Sequence, residues 1–212
     1  MLLKQRRVRK AFQVDTTLTT NLVSYWKMED TTDYWGTNNT NNVTFTTKVN
    51  NNYNSSNYIV LPNSSDFKIT PFTISMWFKT TSPSDMSLFQ SWSQNINNAI
   101  RLWFLSNFRF ETSNTTQIDW EMTTYSSTYI DGNWHLIQAI YDTTLSIYLD
   151  NVLKSSTSWT NNPYATINYV RLELNNSAEL YYLNMQDEII WSKVLSSQER
   201  TDIWNSGNQT MI

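Results

Sequence analysis

Between Pro71 and Thr81, Phe72, Ile74, Met76 and Phe78 take every second position, and Thr73, Ser75, Trp77 and Lys79 fill the places between them. Side chains of a strand alternate between two faces, so this spacing predicts a half-buried strand and argues against a helix. The alternation recurs in Leu145, Ile147 and Leu149 against Ser146, Tyr148 and Asp150. Asp142, Thr143 and Thr144 supply the turn before that segment, and Asp150-Asn151 the turn after it. Further strands are predicted from Asn168 to Leu174 and from Leu180 to Trp191. From Leu22 onward the chain reads as short strands divided by polar turn clusters, which predicts a two-sheet antiparallel β-sandwich. A length of 212 residues suits one such domain.

One segment reads as helical. Ser196 and Glu199 have the spacing of a capping box, Ile203 and Trp204 supply apolar contacts, and Gly207 is placed to end the turn. The stretch from Asp30 to Asn63, rich in Asn, Thr and Ser, is expected to form short edge strands and long loops.

With three Gly and four Pro, the turns of an all-β chain fall to Asn, Asp and Ser, which tolerate left-handed backbone or bond their own main chain. The ten Trp, twelve Tyr and nine Phe provide ample apolar surface for a core. No Cys is present and His135 is the single histidine, so disulfide frameworks, thiolate metal sites, Cys nucleophiles and multi-His metal centres are excluded. Three scattered Gly make no phosphate-binding loop.

Charge is distributed unevenly. Lys4, Arg6, Arg7, Arg9 and Lys10 are five of the fifteen basic residues, and the rest of the chain carries ten basic against eighteen acidic residues. Residues 1–20 therefore read as a basic arm, or as a solvated terminus, ahead of an acidic body over residues 21–212. An arm of this kind would meet an anionic partner, such as an acidic protein groove or lipid, and would anchor the body to a larger protein assembly, with nucleic acid the less fitting partner. The opening MLLKQRRVRK is followed by no continuous apolar run, so neither a secretory signal nor a membrane span is expected. A chain made in the cytoplasm would then reach the outside by another route, such as lysis.

Four segments together resemble the laminin-G-like jelly-roll domains of the concanavalin-A-like lectin and glucanase superfamily. LVSYWKMED resembles that family's first core strand, and FTISMWFKT its central strand. DGNWHLIQAIYD with LSIYLDNVL resembles its paired strands, and MQDEIIWSKVLSSQERTDIWNSG its closing strand and helix. Their order across residues 21 to 207 implies two antiparallel sheets, with ligands held by loops or by a concave sheet face. In that family, acidic residues ending the first strand and opening the closing one can meet at a calcium site. The matching positions are Glu29, Asp30 and Asp187, whose oxygen ligands suit calcium. Strict alternation places Asp187 with Ile189 and Trp191 on an apolar face, so it requires either hydrogen-bond donors or a cation. Glu188 is expected on the opposite, solvated side.

Gln117-Ile118-Asp119-Trp120-Glu121 resembles the Glu-x-Asp-x-Glu strand of retaining glucanases on this fold. Those enzymes need two carboxyl groups about 5 Å apart, one of them a nucleophile. Gln117 is an amide and forms no glycosyl ester, so the segment reads as coincidence or as a decayed hydrolase. His135 alternates with Ile137 and Ala139 and has no partner motif that would make it a base. Trp35, Trp92, Trp120, Tyr125 and Trp159 lie in or beside polar stretches, where aromatic faces either stack on sugar rings or pack at the rim of the core. The reading is a non-enzymatic binding or adhesion module for a glycan or cell-surface polysaccharide. It would serve as a structural or decoration component of a larger particle such as a phage virion. A glycan-active hydrolase is the alternative.

Overall fold

The computed structural model describes residues 16–27, 32–36, 59–61, 69–81, 86–92, 100–105, 107–112, 121–126, 128–159, 169–172 and 183–205. A one-turn helix α1 (Thr16–Thr19) precedes twelve strands. These are β1 (Leu22–Trp26), β2 (Ile59–Leu61), β3 (Phe72–Thr80), β4 (Met86–Trp92), β5 (Ile100–Leu105), β6 (Asn107–Thr112), β7 (Glu121–Ser126), β8 (His135–Tyr141), β9 (Thr144–Leu149), β10 (Val152–Ser158), β11 (Tyr169–Leu172) and β12 (Leu183–Trp191). Helix α2 (Ser197–Trp204) follows. Every described pairing is antiparallel, and the strands form two six-stranded sheets. Sheet A has the order β1-β12-β3-β8-β9-β10 and sheet B the order β2-β11-β4-β5-β6-β7.

Local sequence accounts for much of sheet A. Asp150 and Asn151 both adopt positive φ, at 51° and 61°, which gives the tight β9–β10 turn the twist its strands need. Aspartate and asparagine tolerate that conformation better than other non-glycine residues. At the other turn, Asp142 Oδ1 accepts from the Thr144 N–H at 2.9 Å, so the carboxylate closes the loop between β8 and β9.

The main core lies between the sheets. Phe72, Ile74, Met76 and Phe78 of β3 meet Leu102, Phe104, Phe108 and Phe110 of sheet B in one buried cluster. Phe72 packs edge-on to Phe110 at 6.0 Å, and Phe78 to Phe108 at 5.1 Å. Aromatic pairs of this geometry add about 0.5–1.5 kcal/mol each beyond the area they bury.

β3 is not the half-buried strand its alternation predicts: Thr73, Ser75 and Trp77 on its other face are buried as fully as the core face. A second cluster covers that outer face of sheet A, made by Leu18, Leu22, Tyr25, Trp77, Leu136, Ile189, Trp191, Leu195 and Ile203. Trp204 of α2 stacks on Trp77 with centroids 5.5 Å apart and planes 18° from parallel. The folded body thus takes in residues from α1 onward, ahead of the boundary expected between residues 20 and 21. Leu18 is buried, and its carbonyl accepts a 2.7 Å hydrogen bond from the Trp191 indole.

The capping box at Ser196 is formed: Ser196 Oγ accepts from the Glu199 N–H at 3.2 Å and Glu199 Oε2 from the Ser196 N–H at 2.8 Å. The helix ends at Asn205, in left-handed conformation with φ 41°, and not at Gly207, which lies outside the described residues.

Candidate functional site

The closing strand departs most from strict alternation. Gln186 pairs with Trp77 and Ile189 with Ser75, so Asp187 and Glu188 together stand opposite Met76 alone. This is a β-bulge, with Asp187 at φ 50°. One extra residue reverses the faces beyond it, which puts Ile189 and Trp191 in the outer cluster and Ile190 in the main core.

Asp187 is buried, and its Oδ1 accepts a 2.8 Å hydrogen bond from the Tyr25 hydroxyl. Glu188 is not solvated. It pairs across the ladder with Trp26, a main-core residue, and is fully buried. Neither of its carboxylate oxygens has a hydrogen-bond partner among the described residues. Burial pushes its carboxyl well above the usual carboxylate range, so the neutral acid is the form that the core holds.

Glu29 and Asp30 lie outside the described residues. Among the described residues, no group of three acidic or histidine side chains is arranged to hold a metal ion. Of the three residues expected at a calcium site only Asp187 is described, and its Oδ1 accepts from a hydroxyl. The acidic residue that organises the end of β1 is Asp33, which had no distinguishing motif. Its Oδ1 accepts from the backbone N–H of Tyr25, Trp35 and Gly36 at 3.0, 3.1 and 2.9 Å.

The five aromatic candidates do not form one described surface. Trp35 is exposed in the loop after β1. Trp159 is partly buried against the main core, a packing position. The Trp92 backbone pairs with Tyr169 and the Tyr125 backbone with Phe108, while the side chains of Trp92 and Tyr125 lie outside the description. Trp120, Gln117 and the arm residues Lys4, Arg6, Arg7, Arg9 and Lys10 also fall outside it.

His135 has more company than its sequence suggested. Nδ1 stands 2.8 Å from Asp150 Oδ2 and Nε2 stands 3.0 Å from Asp131 Oδ1, with the Tyr129 ring edge-on at 4.8 Å. Asp131 is held at about 2, chiefly by the Asn133 side-chain hydrogen bond, with the Asn133 N–H and His135 adding to it. The histidine ties two turns together.

A polar and aromatic patch lies on the outer face of sheet B. Ile100, Leu102 and Phe104 of β5 and Phe108 and Phe110 of β6 point into the core, which leaves Arg101, Trp103, Arg109 and Glu111 on the side away from sheet A. Arg101 pairs across the strands with Glu111, and Trp103 with Arg109. The Arg109 guanidinium lies over the Trp103 ring at 5.0 Å. Burial raises the Glu111 carboxyl above its ordinary value, with the Trp103 indole and the charges of Arg101 and Arg109 acting against the rise. Both described helices pack on sheet A, and on this face of sheet B Glu111 is buried while Arg101, Trp103 and Arg109 are half-buried. Sequence reasoning missed the quartet because no motif marks it. The available signal was strand parity, which sets Arg101 and Trp103 between Ile100, Leu102 and Phe104.

Two antiparallel sheets enclosing one core, with a polar-aromatic face on the side of sheet B away from it, define a jelly-roll sandwich of the lectin-like class. The chain belongs to the laminin G family of the concanavalin A-like lectin/glucanases superfamily, whose family model matches residues 51–199. No curated protein matches its sequence. Among solved structures it is similar to the botulinum neurotoxin serotype D binding domain, with TM-score 0.67 and 16% identity over 88% of this chain and 52% of that one. A botulinum neurotoxin type C structure, from a protein whose cell entry depends on two ganglioside molecules, gives TM-score 0.67 and 13% identity over 90% and 52%. The binding domain of neurotoxin DC in complex with rat synaptotagmin II gives 0.64 and 14% over 88% and 52%. The chain spans about half the length of these structures.

Proposed function

We propose that this chain is a non-enzymatic glycan-binding and adhesion module carried on a larger particle such as a phage virion, with the basic arm of residues 1–20 as its anchor. The observation that carries the binding part is the outer face of sheet B, where an indole, two guanidinium groups and a carboxyl meet on strands fixed by the core beneath them. Aromatic faces beside fixed hydrogen-bonding groups are what a sugar ring requires. Toxin binding domains among the structural neighbours support the reading at the level of fold. Calcium enters this proposal only through a shell that Glu29 and Asp30 complete around Asp187.

The test is a glycan array with the purified chain, followed by saturation binding and a reducing-sugar assay on each hit. Saturable retention without sugar release supports the module. The resemblance of Gln117–Glu121 to a glucanase strand keeps a hydrolase as the second reading. That reading predicts sugar release that Glu121→Gln abolishes, and such a result would overturn the non-enzymatic one.

A further inference from the structure

The Arg109 guanidinium is laid on the Trp103 ring, and its buried Nε has no hydrogen-bond acceptor among the described residues. The cross-strand neighbour of Arg101 is Glu111, whereas that of Arg109 is Trp103, so the ladder gives Arg109 no carboxylate directly opposite. A guanidinium offers a planar fork that matches a carboxylate bidentately. Stacking on an indole fixes the plane of that fork in advance and so lowers the ordering cost of binding.

Charge points the same way. Beyond the arm, the chain has ten basic residues against seventeen acidic ones, so an anion approaching the body meets repulsion over most of its surface. The quartet reverses this locally, with two arginines facing one glutamate.

We infer that the outer face of sheet B recognises an acidic sugar, with the sugar carboxylate seated on the Arg109 guanidinium and the Trp103 indole holding that guanidinium in place. The inference rests on the glycan-binding reading above and names the ligand class for it. Trp103 acts here as a positioning residue for Arg109.

The experiment titrates the full chain with matched pairs that differ only in the acid: sialyllactose against lactose, and a glucuronate-terminated against a glucose-terminated disaccharide. The acidic member of at least one pair should bind about tenfold or more tightly than its neutral partner, and the preference should weaken as salt rises. Arg109→Gln should remove the preference, and Arg109→Lys, which keeps the charge but loses the fork, should retain only part of it. Thermal melts identify variants that remain folded, and the paired comparison in the wild-type chain is decisive without them. Equal binding of acidic and neutral members overturns this inference and leaves the glycan-binding reading standing. An acidic preference that survives in folded Arg109→Gln also overturns it. Absence of binding to any glycan overturns both.

Discussion

The hydroxyl of Tyr25 on β1 donates a 2.8 Å hydrogen bond to Oδ1 of Asp187, a buried residue 162 positions further along the chain. The contact pins the first strand to the bulge in the closing strand beside it. Tyr25→Phe removes the donor and leaves the ring in place. It should destabilise the domain by about 1–3 kcal/mol, since a buried carboxylate loses a hydrogen bond that water does not replace. Urea denaturation at neutral pH measures this, and an unchanged midpoint would show that the bond contributes nothing.

The same carboxylate decides the calcium proposal. If Glu29 and Asp30 complete a shell around Asp187, calcium should raise the melting temperature relative to chelator, and Asp187→Asn should abolish the rise. An equal melting temperature in both conditions would leave Asp187 as a hydrogen-bond acceptor for Tyr25.

Glu188 predicts a pH dependence of opposite sign to that of a salt-bridged acid. Burial raises its folded-state value above the ordinary 4.5, so the unfolded chain loses this proton at lower pH than the folded one. The associated stability is fully present below about 4.5 and is lost as pH rises toward the folded value. Glu188→Met is apolar at every pH and should gain on the wild type as pH increases from 4 to 8. Denaturation curves across that range check it, and a constant difference between the two proteins would contradict the neutral buried acid.

Gly36 sits where a side chain does not fit. A Cβ there would lie 2.6 Å from Asp33 Oδ2 and 2.6 Å from the Val23 carbonyl oxygen. Gly36→Ala should cost on the order of 1–3 kcal/mol through displacement of the Asp33 loop clamp. A melting temperature within error of wild type would show that the loop yields freely.

Truncations separate the arm from the fold. Deleting residues 1–12 should release the chain from its assembly partner if the anchoring proposal holds. Deleting residues 1–20 should lower the melting temperature, because it removes buried Leu18 and the carbonyl that accepts from the Trp191 indole. Equal stability of the two truncations would contradict the packing of α1.

What the sequence determined by itself was local. The period of two in Phe72–Phe78, the Asp150-Asn151 turn and the Ser196/Glu199 capping box each depend on neighbours a few residues apart, and each forms as its chemistry requires. The order of four resembling segments placed the family, because a sandwich is built from such strands in series. What tertiary structure decided depends on groups far apart in the chain. The bulge at Asp187–Glu188 exists only against Met76, more than a hundred residues earlier, and it turned a presumed surface glutamate into a core acid. Trp77 looked like the solvated side of a half-buried strand until α2 covered it with Trp204. Arg109 and Trp103 became neighbours through strand register, which the alternation of either strand alone does not fix.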